Sequence, residues 1–219
     1  GPWRLGEAAL AGGADLGTVG VYLGFGALLG AGITVACTAM IYASLKPIPA
    51  WRHPLVLPVY LVFALLCGLL LMLLGQRLAG GVAIAPLLVV AGGLALVVAV
   101  MKGLYWRGID RKPLPVSKAS ALGLPEGREV NVFERPHTEA NYLTTEMGFV
   151  LARKHSRKLR LIAVLLFGLV PLACCWLAWM FPAAATPVLA VAVLASLLGA
   201  LVERWLFFAE AKHLVMLYY

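Results

Sequence analysis

Charged positions are missing from five stretches of the chain, and that spacing organises the rest. Residues 13–45 hold one charge, Asp15, while 55–75, 78–101, 161–181 and 183–202 hold none. Apolar side chains fill these blocks on every side instead of recurring as a stripe, so each block predicts a helix in an apolar solvent. About 20 helical residues cross the roughly 30 Å of hydrocarbon in a bilayer. Backbone in lipid must satisfy its own hydrogen bonds, which excludes open strands. The pattern predicts an all-α, polytopic transmembrane helix bundle. It forms a single membrane domain over 1–219, with helices at about 16–45, 55–76, 78–104, 159–181 and 185–208 and an aqueous loop at about 107–158.

The polar positions order these spans. Three prolines and a lysine in "KPIPAWRHP" (46–54) stop the first span at the interface, where Trp51 suits the headgroup layer. "GQRLAGG" joins the second and third spans as a hairpin, and "FPAAATP" joins the fourth and fifth. The first span carries two G-x-x-x-G spacings, "GVYLG" and "GALLG", a pattern that lets helix backbones approach a neighbour closely. In the aqueous loop, "TEANYLTTEMGFVLARKHSRKLR" reads as a surface helix capped by Thr138, with Tyr142, Met147 and Phe149 set among charges. Continued as a helix, the final stretch "ERWLFFAEAKHLVMLYY" aligns Glu203, Glu210 and His213 on one face, with Trp205, Phe207, Phe208 and Tyr218 on the others.

Composition and charge then fix the solvent and the orientation. The chain is 62% hydrophobic and 13% charged, against about 45–50% and 25% in soluble domains, and its mean hydropathy is +0.92. Of the lysines and arginines behind the net charge of +8, only Arg4 and Arg77 fall on one side of the spans. The other side holds Lys46, Arg52, the twelve between Lys102 and Arg160, Arg204 and Lys212. That asymmetry is a positive-inside signal. It places the basic side in the cytoplasm and reads the charge as topology and lipid headgroup contact, not nucleic-acid binding.

Little reactive chemistry fits these residues. Cys37, Cys67, Cys174 and Cys175 lie in apolar spans and form no C-x-x-C, so neither a cluster nor a zinc site is expected. His53, His137, His155 and His213 lie outside the spans, which leaves no axial haem pair within them. The second to fifth spans have no charge in their cores, which disfavours a proton-coupled transporter. No catalytic or nucleotide-binding motif is present. By subtraction, the chain is an anchor or binding subunit whose reactive centre lies elsewhere.

Four stretches resemble a known family: "CTAMIYASLKPIPAWRHPLV" (37–56), "PHTEANYLTTEMGF" (136–149), "ARKHSRKLR" (152–160) and "ERWLFFAEAKHLVMLYY" (203–219). In this order they are similar to the membrane anchor subunit of dimethyl sulfoxide reductase, within the polysulfide-reductase-like integral membrane subunits. The resemblance implies a complex with a molybdopterin catalytic subunit and an iron–sulfur electron-transfer subunit. The anchor, binding no cofactor of its own, takes electrons from menaquinol in anaerobic respiration at the bacterial cytoplasmic membrane. Members have about eight helices, and the family's quinol-associated His-Leu-Gly and Ser-Arg-Glu motifs do not occur here. With no initiator Met and no signal-peptide pattern at its start, the simplest expectation is that the chain lacks the first three helices. Quinol residues are therefore not transferred from the family.

Site candidates come from position. Lys102 and Tyr105, where the third span meets the basic side, stand near the level of a quinol headgroup, although snorkelling explains the lysine as well. Arg153, Lys154, Arg157, Glu203, Arg204, Glu210 and His213 are candidates for partner docking, with interfacial anchoring as the competing explanation. A transporter or a non-redox membrane scaffold protein is the alternative function. The terminal electron acceptor is chosen by the catalytic partner.

Overall fold

The computed structural model describes residues 16–82, 84–111, 116–125, 127, 129–131, 133 and 150–214. Five helices are long and apolar enough to cross a membrane, and the described residues contain no strand. We number the helices α1 (Leu16–Ala43), α2 (Val56–Leu78), α3 (Ala85–Arg111), the single turn α4 (Lys118–Ala121), α5 (Val150–Lys154), α6 (Ser156–Met180) and α7 (Ala185–Ala209). The predicted surface helix is present in its second half, as α5 and the start of α6; Thr138, Tyr142, Met147 and Phe149 lie outside the described residues.

The α2–α3 hairpin shows how local sequence sets a boundary. Gly80, at φ 81°, comes after the cap residue Ala79 at the end of α2, a left-handed conformation that costs glycine nothing. Its N–H reaches Arg77 O at 3.1 Å, and Gly81 N–H reaches Gln76 O at 2.8 Å. These two bonds form a Schellman stop that satisfies the last carbonyls of α2. The stop delays α3 until Ala85, later than the pattern predicts, and α3 runs on to Arg111. Across this outer end, Arg77 donates to Gly81 O and to Pro182 O, tying the two hairpin loops together.

Four of the long helices close a ring, with α2 against α3, α3 against α6, α6 against α7, and α7 back against α2. Each turns an inner stripe to the centre at helical spacing: Leu66, Leu70 and Leu73 on α2; Ala91, Ala95 and Val98 on α3; Leu189, Ala192 and Ser196 on α7. Small residues bring the backbones close, since lipid offers helices little hydrophobic drive to associate. At Gly199 a Cβ would stand 2.7 Å from Phe167 N, so α6 and α7 touch there nearly backbone to backbone. The α6 segment at that contact, Leu165–Leu169, is a π turn. Pro171 lies just beyond it and has no N–H to give Phe167 O, and the wider turn accommodates the missing bond.

Helix α1 lies outside the ring, packed on α2. Its end reaches α7 through Tyr42, whose ring meets Phe207 and Phe208 edge-on. Gly20, Gly24, Gly26 and Gly30 have nothing within 4 Å of a Cβ added there. Among the described residues, the predicted close neighbour of these G-x-x-x-G spacings is absent.

Candidate functional site

The polar chemistry gathers at the basic end of the ring. On α3 the inner stripe runs Leu88, Ala91, Ala95, Val98 and then Lys102; on α7 it runs Ala192, Ser196, Gly199 and then Glu203. Both ionic side chains are thus in phase with the core. Lys102 Nζ stands 2.6 Å from Glu203 Oε1, with the two side chains 2% and 1% exposed. Arg204 holds the other carboxylate oxygen, with Nη2 2.6 Å from Oε2. Aromatic faces complete the cation shells: Tyr105 and Trp106 around Lys102, Tyr60 and Phe207 around the Arg204 guanidinium. Such contacts gain strength when water is excluded.

This geometry corrects two expectations. Lys102 does not snorkel outward, and Glu203 is no surface contact: each is the other's partner inside the bundle. A buried pair of this kind gives modest net stability, but removing one partner strands the other charge. Tyr105 is also buried, and its hydroxyl donates to Ala50 O at 3.2 Å. The gap shared by Lys102, Tyr105, Tyr60 and Arg204 measures about 10 Å3, about one water's room. A quinol ring would reach Lys102 or Tyr105 only after those side chains moved.

A second layer lies farther out. Arg160, at the start of α6, places Nη1 2.6 Å from Asp110 Oδ2 and Nη2 2.9 Å from Oδ1, the two-pronged geometry that guanidinium offers a carboxylate. Its Nε donates to Glu210 Oε1 at 2.8 Å. One arginine thereby joins the ends of α3, α6 and α7. Burial pushes the Glu210 carboxyl above its usual range, against the pull of Arg160. Arg153 donates to Ala209 O at 2.9 Å and to Ala211 O at 3.1 Å; its half-buried site lowers its own pKa. A cation there suits the negative end of the α7 dipole.

The chain after α7 departs from expectation. Helix α7 ends at Ala209, so Glu203, Glu210 and His213 do not line one face of a longer helix. Residues 211–213 turn back across the α1–α2 connection, where Leu214 N–H donates to Pro47 O at 2.9 Å. Trp51 is packed inside the protein. It is 8% exposed, stacks on Phe207 at 5.5 Å and donates from Nε1 to Phe207 O at 3.0 Å. Arg153 and Trp51 take up carbonyls that a continuing helix would have used, and His213 lies half-buried in the returning segment. Residues 215–219 lie outside the described residues.

Above these layers opens a cleft of about 1000 Å3. Its walls come from 49–54, from the end of α3 at 108–111, from 153–160 and from Glu210 and Lys212. Among the described residues, six cations line it, Arg52, Arg111, Arg153, Arg157, Arg160 and Lys212, with the carboxylates Asp110 and Glu210. Of the docking candidates, the structure therefore brings Arg153, Arg157 and Glu210 into this cleft and buries Glu203 below it. Lys154 is exposed. Sequence reasoning missed Arg160 and Asp110. Their signal was a charge at each of two helix ends that the ring makes neighbours, visible only once α3 and α6 are known to pack. Among the described residues, no three His, Cys, Asp or Glu converge on a possible metal position.

Comparison with known proteins bears on this arrangement. The family model described as DMSO reductase anchor subunit (DmsC) matches residues 19–209. The chain belongs to the DMSO reductase anchor subunit family. That match covers all five long helices, the buried Lys102–Glu203 pair and the Arg160 junction. Among curated proteins, the chain is similar to a subunit of the sulfite dehydrogenase of Allochromatium vinosum, 27% identical over 190 residues. The aligned region is 84% of this chain and 55% of that protein, so the anchor-family chain spans about half the length of its relative. No solved structure matches it.

Proposed function

We propose that this chain is the membrane anchor of a molybdopterin oxidoreductase complex, passing electrons from menaquinol to an iron–sulfur subunit in anaerobic respiration. Molybdopterin and the iron–sulfur clusters belong to the partner subunits, and this chain contributes no catalytic residue. The reading rests on the DMSO reductase anchor family match across 19–209. The gathering of cationic side chains at one end of the bundle agrees with it: an anchor needs a face toward its partners, and the positive-inside asymmetry supports a cytoplasmic face in a bacterial inner membrane.

The similarity to a sulfite dehydrogenase subunit favours one second reading, in which the partner oxidises sulfite and electrons enter the membrane through the anchor. Both readings share the architecture and differ in the direction of electron flow. The test is to express the gene with its chromosomal neighbours, extract the tagged chain in mild detergent, and measure molybdenum and iron. Both metals in fixed ratio to the chain support the anchor function; a folded, metal-free chain removes it. On metal-bearing material, dimethyl sulfoxide reduction by a menaquinol analogue selects the first reading. Sulfite-driven quinone reduction selects the second.

A further inference from the structure

The cleft at the basic end has no assigned occupant, and its charge is unbalanced in a specific way. Among the described residues, the two carboxylates in its wall are both bound by Arg160, at 2.6 Å and 2.8 Å. Arg153 donates to two backbone carbonyls at the end of α7. Arg52, Arg111, Arg157 and Lys212 are exposed and, among the described residues, take no part in these internal ion pairs. These four come from four different chain segments, yet all border one opening. Within a concave wall the field of such charges adds, and groups closer than the roughly 8 Å Debye length escape full screening.

Size and position narrow the occupant. A space of about 1000 Å3 is far larger than a lone anion needs and lies at the top of the range for ligand pockets. The ends of α3 and α6 and the segments before α2 and after α7 all contribute to its wall, so the cleft lies at one end of the ring. A phospholipid must keep its acyl chains in the hydrocarbon, which limits how far its headgroup reaches over the end of a helix ring. A protein segment entering from the aqueous phase meets no such constraint.

We propose that this cleft is the socket for an acidic segment of the electron-transfer protein carried by the anchor. That segment is a carboxylate-rich loop or helix end that enters from the aqueous phase and pairs with Arg52, Arg111, Arg157 and Lys212. The proposal rests on the anchor reading and specifies where and by what chemistry the partner docks. Arg160 is the rim's fixed point: saturated by Asp110 and Glu210, it holds the walls together and leaves the partner's carboxylates to the other cations.

The experiment compares complexes purified through a tag on this chain. Arg157→Glu combined with Lys212→Glu should lower iron and molybdenum per anchor by about tenfold or more at physiological salt, roughly the loss of one or two desolvated charge pairs. Lys46→Glu reverses an exposed cation on the same side but outside the cleft, and should retain the wild-type metal content. A photo-crosslinking amino acid at position 111, in the otherwise unchanged chain, should join the anchor to the iron-bearing subunit, with the adduct mapping to an acidic peptide. Full metal content in the double variant overturns the proposal. So does an adduct to phospholipid alone, or one confined to this chain. Metal absent from the wild-type preparation would instead defeat the anchor reading itself, so the two failures are told apart.

Discussion

Helices α1 and α7 are both rich in small residues, yet they sit in opposite surroundings. On α7, Ala192, Ala195, Ser196 and Gly199 are buried, and Gly199 meets the α6 backbone. On α1, among the described residues, Gly20, Gly24, Gly26 and Gly30 border open space, and none of its most apolar window is buried. The same kind of sequence pattern thus accompanies a filled contact in one helix and an uncovered face in the other. Small residues license close approach; what approaches is decided by the rest of the ring. The α7 contact is fixed because Glu203, one turn beyond Gly199, must reach Lys102.

The sharpest way to break this contrast is to remove that anchor point. Glu203→Leu leaves Lys102 buried without its carboxylate and should cost about 3–5 kcal/mol, enough to abolish a well-folded preparation. Heating with a thiol-reactive dye follows the loss, because Cys174 and Cys175 are buried and become reactive only as the ring opens. A wild-type melting profile would show that the pair is dispensable. Gly199→Val comes next. It forces a branched side chain against Phe167 N and should cost about 1–3 kcal/mol, whereas Gly24→Val, the same change on α1, should leave the dye profile unmoved. Equal effects at both sites would erase the distinction between the two helices.

The smallest effect concerns the junction beyond α7. The Glu210 carboxyl is raised above its unfolded value by burial. The folded state therefore favours its protonated form, and the associated stability is complete below about pH 4.5 and lost as pH rises through the raised value. Glu210→Gln should melt slightly above wild type at neutral pH, and the two should converge as pH approaches 4.5. A gap that widens toward acid pH would mean the Arg160 pairing outweighs burial.

The five spans and their order were legible because charge-free runs of that length have few alternatives in a bilayer. The start of α3 shifted where local chemistry acted, at the Schellman stop after α2, while Trp51 and Arg153 hold carbonyls that a helix continued past Ala209 would have used. The inward ion pair was half legible. Lys102 continues the register of Ala91, Ala95 and Val98, and Glu203 that of Ser196 and Gly199, but a charge at a span's edge reads equally well as snorkelling. Only the ring, which sets α3 and α7 across a common centre, turns two edge charges into partners. The cleft was less legible still, because its cations come from segments separated by as many as 160 positions, Arg52 to Lys212.

Lys102 and Glu203 also impose a timetable on biogenesis. The lysine enters the membrane with the third described span, and its counter-charge arrives only with the fifth. At ribosomal speeds of 5–20 residues per second the interval is on the order of ten seconds. Throughout it α3 carries an uncompensated charge and has reason to linger beside the insertion machinery instead of dispersing into lipid. The arrival of α7 ends that wait, so the pair that locks the finished bundle also marks when the bundle is complete.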